Sequence, residues 1–406
     1  MKKSPLMIVF MTVLLNLIGF GMVIPLLPFY AMHFGADAFT VGSLTATFSL
    51  SQLIFTPVMG TWSDRIGRRP IILLGLLVNA FAFAVTGVAG ALWVLFVGRA
   101  INGFGSSSMG AASAYIADVT TPENRSKGMG MLGAAYGLGF VIGPAIGGTL
   151  GSINQSLPFY VAAVLTIINF GLGWFMLPES LSPELRKVAS LSKRDSNPLS
   201  VLQNIYRALQ RAELRLPILM FFFFNVAFTG FEVLMPLFAQ RRYNFTSQDY
   251  GYLFAYMGVL VIIMQGGFVG VVVKRLGDYK TLRLGLLILA ISMVFIPLGN
   301  ILPLVFFVLF FLAIGQGIAT PTSTAVISIT SGAQEQGEIL GISQGVGSLA
   351  RMLGPLAVGF IFNTFGEVVP FMCCSVVMLL ALGLAMSLRT AAKPADVPEK
   401  AGALEY

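Results

Sequence analysis

The sequence predicts an all-α membrane protein whose twelve transmembrane helices form two pseudosymmetric six-helix bundles. Three observations lead to this prediction: the composition, the long uncharged runs and the distribution of positive charge. Hydrophobic residues make up 56 % of the 406 residues and charged residues only 10 %, against roughly 25 % charged in an average soluble domain. So few polar residues cannot cover a soluble surface, which excludes an ordinary soluble enzyme, a disordered chain and a disulfide scaffold.

The apolar residues form runs that are long enough to cross a bilayer. One spanning helix needs about 20 apolar residues. Residues 129–178 and 284–334 contain no Asp, Glu, Lys or Arg, and each run is long enough for two helices. A transmembrane β-barrel would instead show segments of about 10 residues with alternating polarity. We therefore predict helical spans 1 to 12 at residues 5–31, 39–61, 71–90, 92–116, 128–151, 157–178, 216–240, 248–273, 282–300, 302–330, 339–363 and 368–388.

The positions of the 25 Lys and Arg residues predict how the helices cross the membrane. Most of them lie at the N-terminus, in alternate loops, between spans 6 and 7, or in the tail. Because basic loops stay on the cytoplasmic side, both termini are predicted to be cytoplasmic. We expect a multi-pass protein of the inner (plasma) membrane, with the lipid bilayer as a partner. The topology accounts for the net charge of +8, so nucleic acid is not expected as a partner.

A polar segment in the middle of the chain divides it into two halves. Apolar residues recur within this segment at helical spacing, which predicts a short helix on the inner membrane surface, with a disordered tether as the alternative. These residues are Leu199, Leu202, Ile205, Tyr206 and Leu209. The predicted organisation is a six-helix bundle over 1–178, a basic cytoplasmic linker over 179–215, a six-helix bundle over 216–389 and a disordered cytoplasmic tail over 390–406.

The two halves contain similar segments at equivalent places. The sequence GTWSDRIGRR at residues 60–69, after span 2, corresponds to KRLGDYKTLR at 274–283, after span 8. The sequence GPAIGG at 143–148 in span 5 corresponds to GPLAVG at 354–359 in span 11. Internal repeats occur in transporters whose substrate site lies at the repeat interface near the middle of the bilayer. The repeat therefore favours a transporter over a passive membrane anchor.

Span 5 carries closely spaced glycines around a proline. Glycines at such spacing let another helix approach closely, and a proline bends its own helix. The pattern predicts a hinge or seal between the two halves. The residues concerned are Gly139, Gly143, Pro144, Gly147 and Gly148.

The loop between spans 2 and 3 brings charge to the inner membrane face, with Asp64, Arg65, Arg68 and Arg69. Asp118, at the inner end of span 4, is the nearest predicted carboxylate. We predict that Arg68 and Asp118 form a latch that holds one conformation and releases in another. Asp64 is predicted to lie at the positive N-terminal end of a helix. A basic loop without a gating role is the alternative.

Three charged residues lie well inside predicted spans, away from the span ends: Arg99, Glu232 and Arg351. Charges within a membrane are costly and indicate function. Arginine remains protonated, whereas a carboxylate becomes neutral when it binds a proton. We therefore predict that Glu232 couples proton movement to a conformational cycle. A static ion pair of Glu232 with Arg351 or Arg99 is the alternative.

Other polar and aromatic residues in the spans are candidates for substrate contacts, with helix packing or lipid contact as the alternatives. With Glu232 and Arg351, the candidates are Asn16, Phe20, Gln52, Asn225, Phe231 and Gln316. A single histidine, His33, and two cysteines in the last span predict no metal site. Because no phosphate-binding loop is present, we expect no cofactor and a cycle driven by the proton gradient.

These motifs resemble those of the major facilitator superfamily. Within it they are similar to the twelve-helix drug:proton antiporters, which include the multidrug, quinolone and tetracycline exporters. The resemblance covers residues 5–389. Residues 60–69 are similar to the loop signature of the superfamily, and residues 139–148 to the signature that separates antiporters from uptake relatives. Arg99 and residues 19–28 resemble the signatures of spans 4 and 1.

The resemblance implies two six-helix bundles that alternate access to a central site. It also implies an inner-face gate that includes Asp64, Arg68 and Asp118. Arg99 resembles an arginine implicated in proton transfer. Glu232 resembles a carboxylate implicated in proton coupling and in binding cationic drugs.

Other positions concern the substrate. Gln52 resembles a pocket-lining residue of the multidrug branch. Asn16 stands where tetracycline exporters carry an aspartate, which argues against that specificity. Gln316 lies in span 10, where some relatives carry a second acid. Arg351 occurs in some relatives and would favour an anionic or zwitterionic substrate.

We therefore predict a monomeric secondary active transporter that exports amphipathic or lipophilic drugs in exchange for protons, with a role in antibiotic resistance. An enzyme is not predicted, because no cluster of His, Cys, Ser or Asp occurs at the membrane surface. Within the superfamily, the alternatives are a lipid or lysolipid translocase and a proton-coupled metabolite or sugar carrier. A passive channel or a membrane receptor is the alternative from another class.

Overall fold

The structure, a computed structural model, describes residues 5–121, 124–191, 200–299, 301–330 and 336–388. Every regular element within these ranges is helical, which confirms the predicted fold class. The tail predicted at 390–406 and the linker residue Leu199 lie outside the described residues.

The helices of the first half, with the linker helices α9 and α10, are α1 (Pro5–Val23), α2 (Leu27–His33), α3 (Ala38–Ile66), α4 (Arg68–Gly87), α5 (Leu92–Ser106), α6 (Met109–Val119), α7 (Arg125–Ile153), α8 (Leu157–Met176), α9 (Pro183–Leu191) and α10 (Ser200–Gln210). Those of the second half are α11 (Ala212–Tyr243), α12 (Ser247–Ile263), α13 (Val269–Leu276), α14 (Asp278–Phe295), α15 (Leu302–Thr330), α16 (Gln336–Phe365) and α17 (Val369–Ser387). A π-helical turn, Met264–Phe268, joins α12 to α13.

Ten helical stretches in the described part of the chain are long and apolar enough to cross a membrane. The two other predicted spans are also helical. Span 4 is divided at Ser107 and Ser108 into α5 and α6, each too short to count alone. Span 9 is α14, whose first turns carry Asp278, Lys280 and Arg283. Helices therefore occupy all twelve predicted positions.

Proline determines where the first span is interrupted. Pro25 follows the end of α1 at Val23, and it has no backbone N–H to continue the helical hydrogen bonds. The α2 helix begins at Leu27 with Pro28 in its first turn, where the missing N–H would have no helical acceptor. The two helices together form span 1.

The first six spans pack on one another, and so do the last six. In the first half α1 contacts α7 and α8, and α4 contacts α5 and α8. In the second half α11 contacts α16 and α17, and α14 contacts α15 and α17. Two helix pairs make extensive contacts between the halves: α3 with α16, and α7 with α12. These two pairs form the interface at which any central site must lie.

The helix ends define two sides of the molecule. We call the side that carries α9, α10 and the turn between α3 and α4 the linker side, and the opposite side the far side. On the linker side, Ile205 and Ala208 of α10 are buried against residues of α11 and α16, while Leu202 and Tyr206 are exposed. The predicted linker helix is therefore present, and its apolar residues are divided between a buried and an exposed face.

Candidate functional site

The far side is closed between α7 and α12 by backbone contacts of small residues. A methyl group added to Gly251 of α12 would lie 2.5 Å from the carbonyl oxygen of Pro144. A methyl group on Gly148 would lie 2.9 Å from the carbonyl oxygen of Ser247 and 3.0 Å from the Cα of Gly251. All three distances are shorter than van der Waals contact. The two helices therefore meet here only because neither glycine carries a side chain.

The other helix pair repeats this arrangement. Gly42 of α3 lies against the carbonyl group of Pro355 in α16. A methyl group on Gly359 would lie 2.6 Å from the carbonyl oxygen of Ala38. A proline carbonyl of span 5 or span 11 thus meets a glycine of the opposite half in both pairs. The sequence repeat of these two spans is therefore also a repeat in space.

The remaining glycines of the span 5 pattern contact α1 instead. Methyl groups on Gly139, Gly143 and Gly147 would lie 2.5–2.7 Å from Leu17, from Ile18 and Gly21, and from Met22, respectively. Gly139, Gly143 and Gly147 therefore pack α7 against α1 within the first half. Pro144 and Gly148 instead contact α12 of the second half.

A hydrogen-bonded group also joins the two halves at the far side. The side-chain amide of Asn363 in α16 donates to the Asp37 carboxylate at 2.6 Å and accepts from the backbone N–H of Ala38 at 3.3 Å. Asp37 caps α3 by accepting from the Thr40 hydroxyl and backbone N–H. These hydrogen bonds, chiefly that of the Thr40 hydroxyl, hold the pKa of Asp37 below its usual value.

Asp37→Ala should loosen this contact between the two halves. The distance between spin labels at Ser152 and Thr364, on the far-side ends of α7 and α16, should then lengthen. The labels are placed in a protein whose Cys373 and Cys374 are replaced by alanine. With Asp37 intact and Glu232 replaced by glutamine, so that the predicted coupling carboxylate cannot ionise, the distance should not change from pH 8 to pH 5. A lowered pKa gives stabilisation that is fully present above the ordinary Asp pKa of about 3.9 and is lost only as pH falls through the lowered value. Asp249→Ala removes a carboxylate that caps α12, and it should leave the distance unchanged. A distance that lengthens between pH 8 and pH 5 would contradict this account.

The linker side is open between the same helices. Gly133 has no atom within 4 Å of its added methyl position, and Tyr136, one turn further along α7, is 41 % exposed. Gln265 to Phe268, in the π-helical turn of span 8, are also exposed. The inner faces of spans 5 and 8 therefore border a central space that opens towards the linker side.

A charged group lies at the linker-side end of the first half. The Arg68 guanidinium contacts the Asp64 carboxylate at 2.5 Å and the Asp118 carboxylate at 3.2 Å. The Ser180 hydroxyl donates to Asp118 at 2.9 Å. The predicted pair of Arg68 with Asp118 is thus present, and it joins α4 to α6 within one half while the linker side is open.

Glu179 lies at the start of α4, the position predicted for Asp64. Its carboxylate accepts from the backbone N–H groups of Arg68 at 2.9 Å and Arg69 at 3.3 Å. It also accepts from those of Ser180 and Leu181. An acidic group at a helix N-terminus is stabilised by the helix dipole. Glu179, which no sequence motif identifies, therefore fixes the turn between spans 2 and 3.

The two other arginines of the turn are also at this end. Arg69 donates to the backbone carbonyl of Trp174 at 2.6 Å and lies over its ring, which ties α4 to the end of α8. Arg65 lies in the last turn of α3 and is half-buried. The structure thus brings the predicted charged residues of this turn together.

Arg99 is buried in the first half, with 5 % of its surface exposed. Its guanidinium lies over the Phe48 ring, 4.4 Å from the centroid, and donates to the side-chain oxygen of Asn102 at 3.4 Å. Asn102 donates to Asn79 at 3.0 Å, and Asn79 is 3.5 Å from Asn16 in α1. A chain of amides therefore connects Arg99 with Asn16.

Aromatic rings continue from Phe48 across the interface between the halves. The ring centroids of Phe48 and Phe20 are 5.5 Å apart, and those of Phe20 and Phe140 are 6.5 Å apart. Phe140 stacks on Phe254 of α12, whose ring lies 6.2 Å from that of Tyr250. We call these five residues the aromatic row. It runs from Arg99 in the first half towards Glu232 in the second, because Tyr250 interacts electrostatically with Glu232.

Glu232 is half-buried in the middle of α11. It lies two helical turns from Asn225, on the same face of the helix. Glu232 interacts electrostatically with Arg351, yet among the described residues no ion pair within 4.0 Å joins it to Arg351 or to Arg99. The static ion pair considered as an alternative is therefore not formed in this conformation.

Arg351 connects the two halves next to this acid. One of its terminal nitrogens donates to the Ser348 hydroxyl at 3.0 Å and to the side-chain oxygen of Gln52, in α3, at 3.4 Å. Arg351 also interacts electrostatically with Tyr136. Gln52, Arg351 and Glu232, predicted separately, thus lie around one space with Tyr136.

Two predicted substrate residues have other surroundings. Phe231 is 2 % exposed and packs against Phe228 and Phe371, so it belongs to the core of the second half and does not border the central space. Gln316 is half-buried on α15. The sequence does not identify Tyr136 and Tyr250 as site residues, because a tyrosine in an apolar helix does not indicate which way its side chain points.

Comparisons with known proteins cover both halves of the chain. A sequence profile of the Major Facilitator Superfamily matches residues 9–297 and 266–404. Tetracycline resistance protein class B of Escherichia coli is 32 % identical over 356 residues, which are 86 % of each protein. Multidrug resistance protein 2 of Bacillus subtilis (strain 168) is 29 % identical over 386 residues, 95 % of each. The crystal structure of the human organic anion transporter MFSD10 (TETRAN) matches with a TM-score of 0.74 and 25 % identity, covering 95 % of this chain and 99 % of that one.

Proposed function

The chain belongs to the major facilitator superfamily and is a multi-pass membrane transporter rather than an enzyme, and from this premise we propose that it exports amphipathic organic compounds in exchange for protons. The observation that carries the proposal is the position of Glu232. It is the only acid that lies more than two residues inside a predicted span. It lies at the end of the aromatic row, beside a space that is closed on the far side and open on the linker side.

Proton exchange follows from competition for this carboxylate. Ionised Glu232 attracts the positive or polar end of a compound whose apolar part packs on the aromatic row. Protonation removes the charge and releases the compound. Transfer of one charge across 100 mV corresponds to about 2.3 kcal/mol, which is sufficient to drive a substantial substrate gradient. Rocking of the two halves about α3–α16 and α7–α12 would expose the site alternately to each side.

The orientation follows from the distribution of charge. Basic residues concentrate on the linker side, which we assign to the cytoplasm. The open space then receives compounds from the cytoplasm or the inner leaflet of the plasma membrane. Twelve helices enclose the site within one chain, so a monomer is sufficient. Names of relatives support organic compounds as substrates, since they include tetracycline resistance, multidrug resistance and organic anion transport proteins.

The predicted gating residues receive separate roles in this cycle. Gly148 and Pro144 form the far-side seal with α12, while Gly139, Gly143 and Gly147 hold α7 to α1. The charged group at the linker side holds the turn between spans 2 and 3 in place. The turn can then contact the opposite half when the linker side closes. Arg99 lies over Phe48, at the end of the aromatic row that belongs to the first half. We propose that its positive charge assists proton transfer.

Purified protein in liposomes with an imposed pH gradient tests the proposal. We expect ethidium, a flat aromatic cation, to dissipate the gradient in the presence of the wild-type protein. Glu232→Gln has nearly the same size and polarity but cannot ionise, so it should reduce proton exchange at least about a hundredfold, the lower end of the usual effect of a proton-transfer group. Glu213→Gln is the matched control, since Glu213 is exposed in the first turn of α11.

The outcomes separate the candidate functions. Full proton-coupled export by Glu232→Gln would refute the proposed coupling. Ethidium flux without proton movement would indicate a passive channel, and binding without flux would indicate a receptor. Movement of lysolipid without proton exchange would instead indicate a lipid translocase.

A further inference from the structure

The π-helical turn at Met264–Phe268 interrupts span 8 between α12 and α13. Such a turn contains one more residue than an α-helical turn, and π-helical turns are frequent at functional sites. This one lies where the two halves part, because α12 packs on α7 before it and the linker side is open after it. In the described part of the chain, no atom lies within 4 Å of a methyl group added to Gly266 or Gly267. Span 8 therefore leaves the opposite half at the π-helical turn.

The contact between α7 and α12 before the turn follows one face of each helix. A methyl group on Gly137 of α7 would lie 2.7 Å from the Ile262 side chain. Gly148 and Gly251 meet eleven residues further along each helix, towards the far side. Eleven residues make about three helical turns, so the two contacts lie on the same face of both helices.

This face of α7 continues towards the linker side. Gly133 and Gly130 lie four and seven positions before Gly137, so all three share one face of the helix. No described atom lies within 4 Å of a methyl group added to Gly133 or Gly130. The face that contacts the second half thus carries two further glycines where the linker side is open.

The extra residue of the π-helical turn determines which side of span 8 faces α7. In an uninterrupted α-helix, Val269 would lie on the face of Ile262, seven positions before it. One extra residue shifts the rotation by about 100°, the angle of one residue in an α-helix, and places Gly270 on that face instead. Accordingly, Val269 is half-buried, whereas Gly270 has no described atom within 4 Å of an added methyl group. Span 8 therefore presents glycine rather than valine towards α7.

The α13 helix after the turn is held loosely by its own half. It packs chiefly on the π-helical turn and on α14, and none of its eight residues is buried. Gly277 joins it to α14 with a φ of +77°, in the left-handed region that favours glycine. A short helix between a π-helical turn and a glycine can tilt with little loss of packing.

We propose that the π-helical turn is the device by which span 8 closes the linker side against span 5. In the closed state Gly133 faces Gly266, and Gly130 faces Gly270. The backbones of the two spans then meet on the linker side through glycines, as they do on the far side in the present conformation. This closure rests on the proposed alternation of access, but its first test requires no transport.

The pairing follows from the register of the existing contact. Gly137 contacts Ile262, and the two helices run in opposite directions. One helical turn towards the linker side along each helix therefore brings Gly133 opposite Gly266. The proposed contact is thus a continuation of the interface that α7 and α12 already form.

Disulfide formation tests this pairing directly. Gly133→Cys and Gly266→Cys are combined in a protein whose Cys373 and Cys374 are replaced by alanine, and the protein is oxidised with copper phenanthroline in nanodiscs. A disulfide should form and trap the closed state, and mass spectrometry of a digest measures its rate. The control combines Gly133→Cys with Phe268→Cys, on the opposite side of the same turn. It should react at least about tenfold more slowly, because cysteines whose Cβ atoms point apart are not bridged without backbone movement.

Gly133→Leu tests the closure without cysteines. The side chain has space in the present conformation, so the apparent Tm should not change. In the closed state it would overpack the glycine contact, so proton-coupled efflux should fall by about ten- to a hundredfold. Gly171→Leu makes the same change in open space on α8 and should leave efflux unchanged.

The outcomes separate this closure from the proposed function. A disulfide that forms no faster than in the control would overturn the closure, as would normal efflux by Gly133→Leu. Rapid disulfide formation in a protein that exchanges no protons would refute the proposed function and support the closure. Proton exchange with ethidium, combined with no preference for the pair of Gly133 and Gly266, would refute the closure alone.

Discussion

Gly148→Val should prevent the far side from closing and should nearly abolish transport. The added side chain would clash with the Ser247 carbonyl oxygen and the Gly251 Cα, which lie only 2.9 and 3.0 Å from a methyl group at Gly148. Overpacking of a tight contact costs about 1–3 kcal/mol. Since about 1.4 kcal/mol changes an equilibrium tenfold, the far-side-closed state should lose about 10- to 100-fold in population.

Two measurements check this result. The distance between spin labels at Ser152 and Thr364 should lengthen, and proton-coupled efflux from liposomes should fall by a similar factor. Gly171→Val is the control, because it makes the same change in α8 of the same half at a position with open space. A normal distance and normal transport in Gly148→Val would show that the contact between Gly148 and Gly251 does not close the far side.

Glu179→Ala should lower both stability and transport, although Glu179 lies far from the central space. The substitution leaves four backbone N–H groups without their acceptor, two at the turn between spans 2 and 3 and two directly after Glu179. Loss of hydrogen bonds to a charged group costs about 1.5–3 kcal/mol. We expect a fall of several degrees in the apparent Tm, followed by intrinsic fluorescence in detergent, and a several-fold loss of transport.

Two further variants isolate the cause. Glu179→Gln retains one acceptor oxygen and should recover part of the stability. Glu184→Ala removes an exposed acid of α9 nearby in sequence and should leave the Tm unchanged. A Glu179→Ala protein with wild-type Tm would mean that water replaces the carboxylate at this turn.

The fold and much of the site were predictable from local sequence. All twelve apolar runs are helical, three of them as two consecutive helices, because a spanning segment has a fixed length and must be apolar. The contact of Arg68 with Asp118 was predicted because few opposite charges were available at that face. The span 5 glycines identified a close helix contact, but their spacing did not reveal that Gly147 and Gly148 face different helices.

The sequence does not identify residues whose role depends on the direction of a side chain or on a contact between distant parts of the chain. The aromatic side chains of Phe231 and Tyr136 are both in apolar spans, yet Phe231 lies in a bundle core and Tyr136 borders the central space. Only the packing of neighbouring helices determines which way each points. Glu179 is distant in sequence from the helix start that it caps, so no local capping pattern identifies it.

Ionic strength should act differently on the two sides of the molecule. The group of Asp64, Arg68 and Asp118 is held by charge and is partly exposed, with 12–24 % of these side chains accessible. Salt largely screens charges more than about 8 Å apart at 0.15 M and acts less, but still measurably, on partly exposed pairs in contact. The helices at the far side meet chiefly through uncharged glycine and proline backbones, whose contact depends on shape, with one hydrogen-bonded carboxylate, that of Asp37, beside them. High salt in a cell under osmotic stress would therefore weaken the ionic contacts on the linker side of the transporter. The contact between the helices on the far side would change little.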